Sequence, residues 1–135
     1  MPREEVTTRH RVLVVDDEES MRLLLARILS QSLKADVQLA GTCEQALRLA
    51  GTCAYDAILL DLLMPGIGGH GVLREIRRSS PNAATPVIVV SQVTEPESIQ
   101  RCMAAGASAF QAKPVKRAEL VETVKTQIAA RSRPK

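Results

Sequence analysis

Five residues fall directly behind short apolar runs. Asp16 and Asp17 follow Val12–Val15, Asp61 follows Ala57–Leu60, Ser91 follows Val87–Val90 and Lys113 follows Ala109–Ala112. Singly, each has an ordinary explanation: an Asp-Asp pair suits the positive end of a helix, Asp61 or Ser91 could cap the next turn, and Lys113 could be a surface lysine. Together, on neighbouring parallel strands, they would gather three carboxylates in one crevice. Like charges so held repel and raise one another's pKa unless a cation neutralises them. Carboxylate oxygens with water are the ligands Mg²⁺ prefers. One Mg²⁺ and one lysine bring the charge to zero and leave a site able to take a phosphoryl group. The metal and Lys113 would stabilise its equatorial oxygens, and Ser91 would donate a hydrogen bond to one of them.

The elements that must position these residues are legible in the apolar pattern. Val12–Val15, Ala57–Leu60 and Val87–Val90 are unbroken runs, the mark of strands buried on both faces. Val37 and Leu39 make a weaker second strand, and Ala109–Ala112 a mixed fifth. Between them lie helical stripes: Met21, Leu24, Leu25, Ile28 and Leu29; Ala46, Leu47 and Ala50; Val72, Leu73 and Ile76; and, last, Leu120, Val121, Val124 and Ile128. Thr42 with Gln45 reads as a capping box opening the second helix, and Thr94 with Glu97 as one opening the fourth, with Pro96 in its first turn. Arg77 and Arg78 suit the carboxyl end of the third helix. Alternating strands and helices require a parallel sheet wound on both faces by right-handed crossovers. With the continuous runs central, the expected α/β fold is a flavodoxin-like (βα)5 unit of strand order 2-1-3-4-5, its switch point between strands one and three.

Composition bounds the rest. A chain of 135 residues, 45% hydrophobic and 24% charged, fits one globular domain. With one Phe, one Tyr and no Trp, its core must be aliphatic. The expected domain covers residues 11–130, with an extension at 1–10 and a solvated basic tail at 131–135. A formal charge of +3 without interleaved aromatics gives no nucleic-acid surface. Cys43, Cys53 and Cys102 form no C-x-x-C pair, so a disulfide framework or zinc site is not expected. No signal peptide or membrane-length apolar run is present, and a cytoplasmic location is expected.

These motifs resemble the response-regulator receiver family of two-component systems, from about Arg11 to about Ile128. The resemblance is carried by Val14-Val15-Asp16-Asp17-Glu18, by Asp61-Leu62-Leu63-Met64-Pro65-Gly66, by Val90-Ser91 and by Lys113-Pro114, with separations close to the family's chemotaxis-type members. It implies that Asp61 is the phospho-acceptor. It further implies that Asp16, Asp17, Asp61 and the Leu63 carbonyl hold Mg²⁺, that Ser91 and Phe110 form the conformational switch, and that Lys113–Pro114 is cis. The donor would be a sensor histidine kinase or histidine phosphotransferase, and the output a protein bound by the helix 4, strand 5, helix 5 face. The domain would catalyse only its own phosphorylation and dephosphorylation. It would act as a monomer or phosphorylation-dependent dimer, free-standing in the first reading and cut from a longer regulator or hybrid kinase in the second.

Three positions depart from the family pattern. Gln92 stands where Ala or Gly is usual, Phe110 where Tyr is frequent, and Ile67-Gly68-Gly69 replaces Met-Asp-Gly. The glycines between 66 and 71 predict an unusually flexible loop. Leu63 and Val93, placed to meet a hydrolytic water, are both apolar, which predicts a long-lived phosphorylated state. Two rival classes fit less well. A haloacid-dehalogenase-like phosphatase expects Asp-x-Asp after strand one, and a flavodoxin-type carrier needs a phosphate loop where this chain is acidic.

Overall fold

A computed structural model describes residues 9–132. Five strands alternate with five helices: β1 (Arg11–Val15), α1 (Glu19–Leu33), β2 (Asp36–Ala40), α2 (Cys43–Thr52), β3 (Ala57–Leu60), α3 (Gly68–Ser79), β4 (Val87–Ser91), α4 (Pro96–Ala104), β5 (Ala109–Ala112) and α5 (Arg117–Ser132). All pairings are parallel, and the order is β2-β1-β3-β4-β5, as the apolar runs predict. Strands β3 and β4 are buried throughout and β1 at every residue after Arg11, whereas β2 and β5 alternate or fray, as edges do.

Successive side chains of the central strands point to opposite faces and build two cores. Leu13, Ile58, Leu60, Val87 and Val89 pack with Ala46, Val72, Leu73, Ile76 and Cys102 of α2, α3 and α4. Val12, Val14, Leu59, Ile88 and Val90 pack with Leu25, Ile28, Leu29, Leu120, Val124 and Ile128 of α1 and α5. No helix among the described residues is long and apolar enough to cross a membrane.

Helix ends both follow and depart from the sequence pattern. The Gln45 N–H donates to Thr42 Oγ1 at 3.1 Å, capping α2, while the Gln45 side chain accepts from the Gly41 N–H at 2.9 Å. Helix α4 has no capping box. Pro96 takes the first helical position, which makes Glu95 the N-cap and leaves Thr94 outside the helix. Arg77 and Arg78 stand in the last turn of α3, as the sequence pattern implies, and Arg77 does more than suit the helix end. It reaches the carbonyls of Asn82, Ala83 and Gly106, tying α3 to the β4 and β5 approaches.

The glycine-rich segment is likewise built for close packing. Gly68, Gly69 and Gly71 lie in the first turn of α3, and a Cβ on Gly69 would stand 2.3 Å from the Asp61 carbonyl oxygen. Glycine there lets α3 rest on the backbone just behind β3, where the Gly69 N–H bonds to the Leu62 carbonyl at 3.0 Å. Gly66 and Gly68 adopt φ values of 89° and 75°, which favour glycine. Lack of a Cβ is thus what Gly69 supplies, and a left-handed backbone what Gly66 and Gly68 supply. Arg131, read from sequence as part of a solvated tail, belongs to the last turn of α5, where it donates to Thr85 Oγ1 at 2.9 Å and to the Tyr55 carbonyl at 3.3 Å. The rest of the proposed tail, residues 133–135, and most of the proposed extension, residues 1–8, lie outside the described residues.

Candidate functional site

The register of the sheet brings the acids together. Val15 pairs with Leu60 across β1 and β3, so the next residues, Asp16 and Asp61, emerge side by side. The ladder also runs one residue beyond each strand. The Asp16 N–H donates to the Ala40 carbonyl at 3.1 Å, that of Asp61 to the Val15 carbonyl at 2.9 Å, and that of Lys113 to the Ser91 carbonyl at 2.9 Å. Each backbone is thus fixed by the sheet, and only side-chain torsions remain to aim the functional groups.

Lys113 reaches back across β4 into this crevice. Its Nζ lies 2.9 Å from Asp16 Oδ2 and 3.5 Å from Asp61 Oδ1. All three side chains are largely withdrawn from water, Asp16 at 1% exposed and Asp61 at 5%. The second Asp16 oxygen accepts from the Glu18 N–H at 2.9 Å, so both oxygens of that carboxylate are engaged. Burial and then the Asp16 charge push the Asp61 carboxyl up to about 6. The Lys113 ammonium and a backbone bond from Leu63 pull the other way without cancelling them. Burial alone would depress Lys113, but its bond to Asp16 and the nearby carboxylate charges outweigh it, and its pKa is raised. The Lys113–Pro114 peptide is cis.

Asp17 differs from its neighbour in being exposed. Ligand oxygens of Asp16, Asp17 and Asp61 nonetheless lie within 4.8 Å of one another, close to the span of oxygens around one divalent ion. Three hard oxygen donors, one turned to solvent and two on backbones anchored in the sheet ladder, suit a Mg²⁺ that keeps several waters. The Leu63 residue, exposed at 57%, sits on the adjoining loop.

Ser91 is fully buried at the end of β4, and its Oγ accepts from the Val93 N–H at 3.0 Å. Phe110 is half-buried on β5, alongside Val89, and packs on the core formed with α2, α3 and α4. Because Ser91 alternates with Val89, Ser91 and Phe110 serve the same face of the sheet. Gln92 is exposed. Asp16, Asp17, Asp61, Leu63, Ser91 and Lys113 therefore gather at the carboxyl edge of the sheet, while Phe110 lies mid-strand, opposite Val89. Sequence reasoning named Glu18 and Gly69 only as motif positions, not for the holding contacts they make, and passed over Arg22, whose Nη1 donates to the Asp16 carbonyl at 2.7 Å. A glycine close behind the acidic strand end was the visible sign of Gly69. Arg22 gave none.

Comparison with known proteins converges on one family. The family profile described as response regulator receiver domain matches residues 12–125. The sensory/regulatory protein RpfC of Xanthomonas campestris pv. campestris is 40% identical over 116 residues, 84% of this chain and 16% of that protein. The two-component response regulator ORR1 of Oryza sativa is 37% identical over 114 residues, 78% of this chain and 49% of that protein. The chain thus spans about half or less of these curated relatives. Among solved structures, the receiver domain of sensor histidine kinase PA1611 from Pseudomonas aeruginosa PAO1, described with a magnesium ion coordinated in its active-site cleft, is similar. It has a TM-score of 0.82 and 31% identity over 90% of this chain and 99% of that one.

Proposed function

The chain belongs to the response regulator receiver domain family of two-component systems, and from that premise we propose that it accepts a phosphoryl group on Asp61 with the help of Mg²⁺. The observation that carries this reading is the convergence of Asp16, Asp17, Asp61 and Lys113 at one sheet edge, with Asp61 the buried acid least tightly paired.

Asp16, Asp17 and Asp61, with the Leu63 carbonyl, would hold the ion, which supplies positive charge against the phosphoryl oxygens. An Asp61 oxygen attacks the phosphorus of a phosphohistidine presented by a sensor kinase or phosphotransferase. The new O–P bond forms as the P–N bond breaks, and the electron pair stays on the imidazole nitrogen. Lys113, pre-set between the two buried acids, moves its ammonium onto a phosphoryl oxygen, and the Ser91 hydroxyl turns from Val93 to donate to another. Ser91 and Phe110 lie on one face of the sheet, so movement of Ser91 opens room for Phe110. That repacking reshapes the α4, β5 and α5 surface for a protein partner, as a shift between two packings.

The PA1611 neighbour supports the metal assignment, since it is a receiver domain with magnesium in its cleft. Its place in a sensor histidine kinase, and the greater length of RpfC and ORR1, favour a second reading, in which this receiver serves within a longer regulator or hybrid kinase. The chemistry at Asp61 is the same in both. Incubation with acetyl phosphate and Mg²⁺ tests it: one hydroxylamine-sensitive phosphoryl group per chain is expected, and none in Asp61→Asn. Equal labelling of that variant would overturn the acceptor assignment.

A further inference from the structure

Arg22 lies one turn into α1, outside the set that the phosphoryl chemistry uses. Its N–H bonds to the Glu18 carbonyl at 3.0 Å, and its side chain folds back so that Nη1 donates to the Asp16 carbonyl at 2.7 Å. That is a short, charge-assisted bond. Among the described residues no carboxylate lies within ion-pair distance of Arg22, although three acids stand in the crevice beside it. The acidic loop is thereby held at three points: the Asp16 N–H on Ala40, the Asp16 carbonyl on Arg22, and the Glu18 N–H on Asp16 Oδ1. Asp17 makes no side-chain hydrogen bond of its own among the described residues, so the backbone of this loop is what sets where its carboxylate starts.

The guanidinium has a seat. A Cβ on Gly41 would stand 2.8 Å from Arg22 Nη1 and 3.1 Å from Cζ. Gly41 is not in the left-handed region, so its backbone conformation does not demand glycine. A Cβ there would instead displace the tip of the Arg22 fork from the place it holds beside the Asp16 carbonyl. Two residues from different crossovers are therefore matched to one bond, made to the main chain of the acidic loop.

We infer that Arg22 is a positioning residue for the cation site, with Gly41 as its seat. It fixes the 16–18 backbone and so aims Asp17. Bonded to a carbonyl, it takes up no carboxylate oxygen itself, while its charge offsets the repulsion among the acids. The cation arm of this inference rests on the proposed function; the backbone arm does not.

Calorimetric titration with Mg²⁺ and amide hydrogen exchange of the metal-free protein test it. Arg22→Ala and Gly41→Ala should each raise the Mg²⁺ dissociation constant about fivefold or more, although Gly41→Ala keeps the arginine and only displaces its fork. Arg22→Lys should recover part of the loss, and the double variant should be no worse than Arg22→Ala alone, since both changes break one bond. Exchange at the Glu18 amide should accelerate about tenfold in both single variants, with the core amide of Leu59 unmoved. A Gly41→Ala protein that binds Mg²⁺ as the wild type does, or Glu18 exchange unchanged in both variants, overturns the assignment. Wild-type protein that fails to bind Mg²⁺ would strike the proposed function instead, and the exchange measurement would then decide the role of Arg22.

Discussion

Lys113 is bonded to Asp16, at 2.9 Å, and only approaches Asp61, at 3.5 Å. The buried lysine is therefore neutralised chiefly by the acid that is not the proposed acceptor. Asp61 keeps a looser partner and bears the repulsion of Asp16, which together with burial lifts its carboxyl to about 6. Without a cation in the crevice, Asp61 is the strained member of the cluster. The measurable consequences differ for each acid.

Asp61→Asn should stabilise the metal-free protein at neutral pH. The folded-state pKa is raised from 3.8 to about 6, so Asp61 favours folding when protonated, and that contribution is lost as pH rises through 6. At ~1.4 kcal/mol per pKa unit the difference is on the order of 2–3 kcal/mol above pH 7, vanishing below pH 4. Urea denaturation in chelator at pH 7.5 and pH 4 checks this. Equal stability of the variant and wild type at pH 7.5 would refute it.

Asp16→Ala and Asp17→Ala should separate. Removing Asp16 strips Lys113 and the Glu18 N–H of their partner, a loss of ~3 kcal/mol for a buried pair. Removing exposed Asp17 should change metal-free stability by less than ~0.5 kcal/mol. Both should weaken Mg²⁺ binding at least about tenfold, since even residues behind the ligands cost that much. Denaturant midpoints measured beside Mg²⁺ titrations give both quantities. Matched stability losses in the two variants would contradict the assigned geometry.

The strand order and the converging site were legible because they follow from strong, periodic signals. A parallel strand buried on both faces must be an unbroken apolar run, and its functional residue must come next. Val12–Val15 with Asp16, and Val87–Val90 with Ser91, obey this. The supporting contacts were not legible, because they join residues distant in sequence through single side chains. Nothing local marks Arg22 as bonded to the Asp16 carbonyl, or Arg131 as bonded to Thr85. The glycines between 66 and 71 carried a true signal that admits two physical causes, freedom of backbone and lack of a Cβ. The structure selects the second at Gly69, where α3 meets the Asp61 carbonyl. Thr94 failed as a cap because Pro96 fixes the helix start one residue later than the capping pattern implies.

Asn82 is the clearest case of a structural residue hidden in a turn-like sequence. It is fully buried, donates to the Ala50 and Cys53 carbonyls at 2.7 Å each, and accepts from the Tyr55 N–H at 2.7 Å and Thr85 Oγ1 at 3.0 Å. Asn82→Ala should destabilise by ~3 kcal/mol, because it orphans several buried groups at once. Asn82→Asp should be nearly as harmful, since a carboxylate cannot donate to two carbonyls. Phosphorylation by acetyl phosphate should persist in whatever fraction stays folded. Thermal unfolding within 2 °C of the wild type for either variant would contradict this network.

The phosphorylated protein should be long-lived for a receiver. Hydrolysis requires a water in line behind the phosphorus, opposite the Asp61 oxygen. The loop residues placed to meet it are Leu63, exposed at 57% on the segment after β3, and Val93, half-buried after β4. Neither side chain can hydrogen-bond or orient a water. Val93 contributes its main-chain N–H to Ser91, a bond that substitution of its side chain leaves in place. Leu63→Asn combined with Val93→Glu adds two groups able to orient water without touching Asp16, Asp61 or Lys113. Dephosphorylation should then accelerate about tenfold, equivalent to ~1.4 kcal/mol off the barrier. The experiment follows loss of phosphate after the donor is removed, at constant Mg²⁺. If Leu63 and Val93 were only an apolar rim without kinetic consequence, the double variant would decay at the wild-type rate.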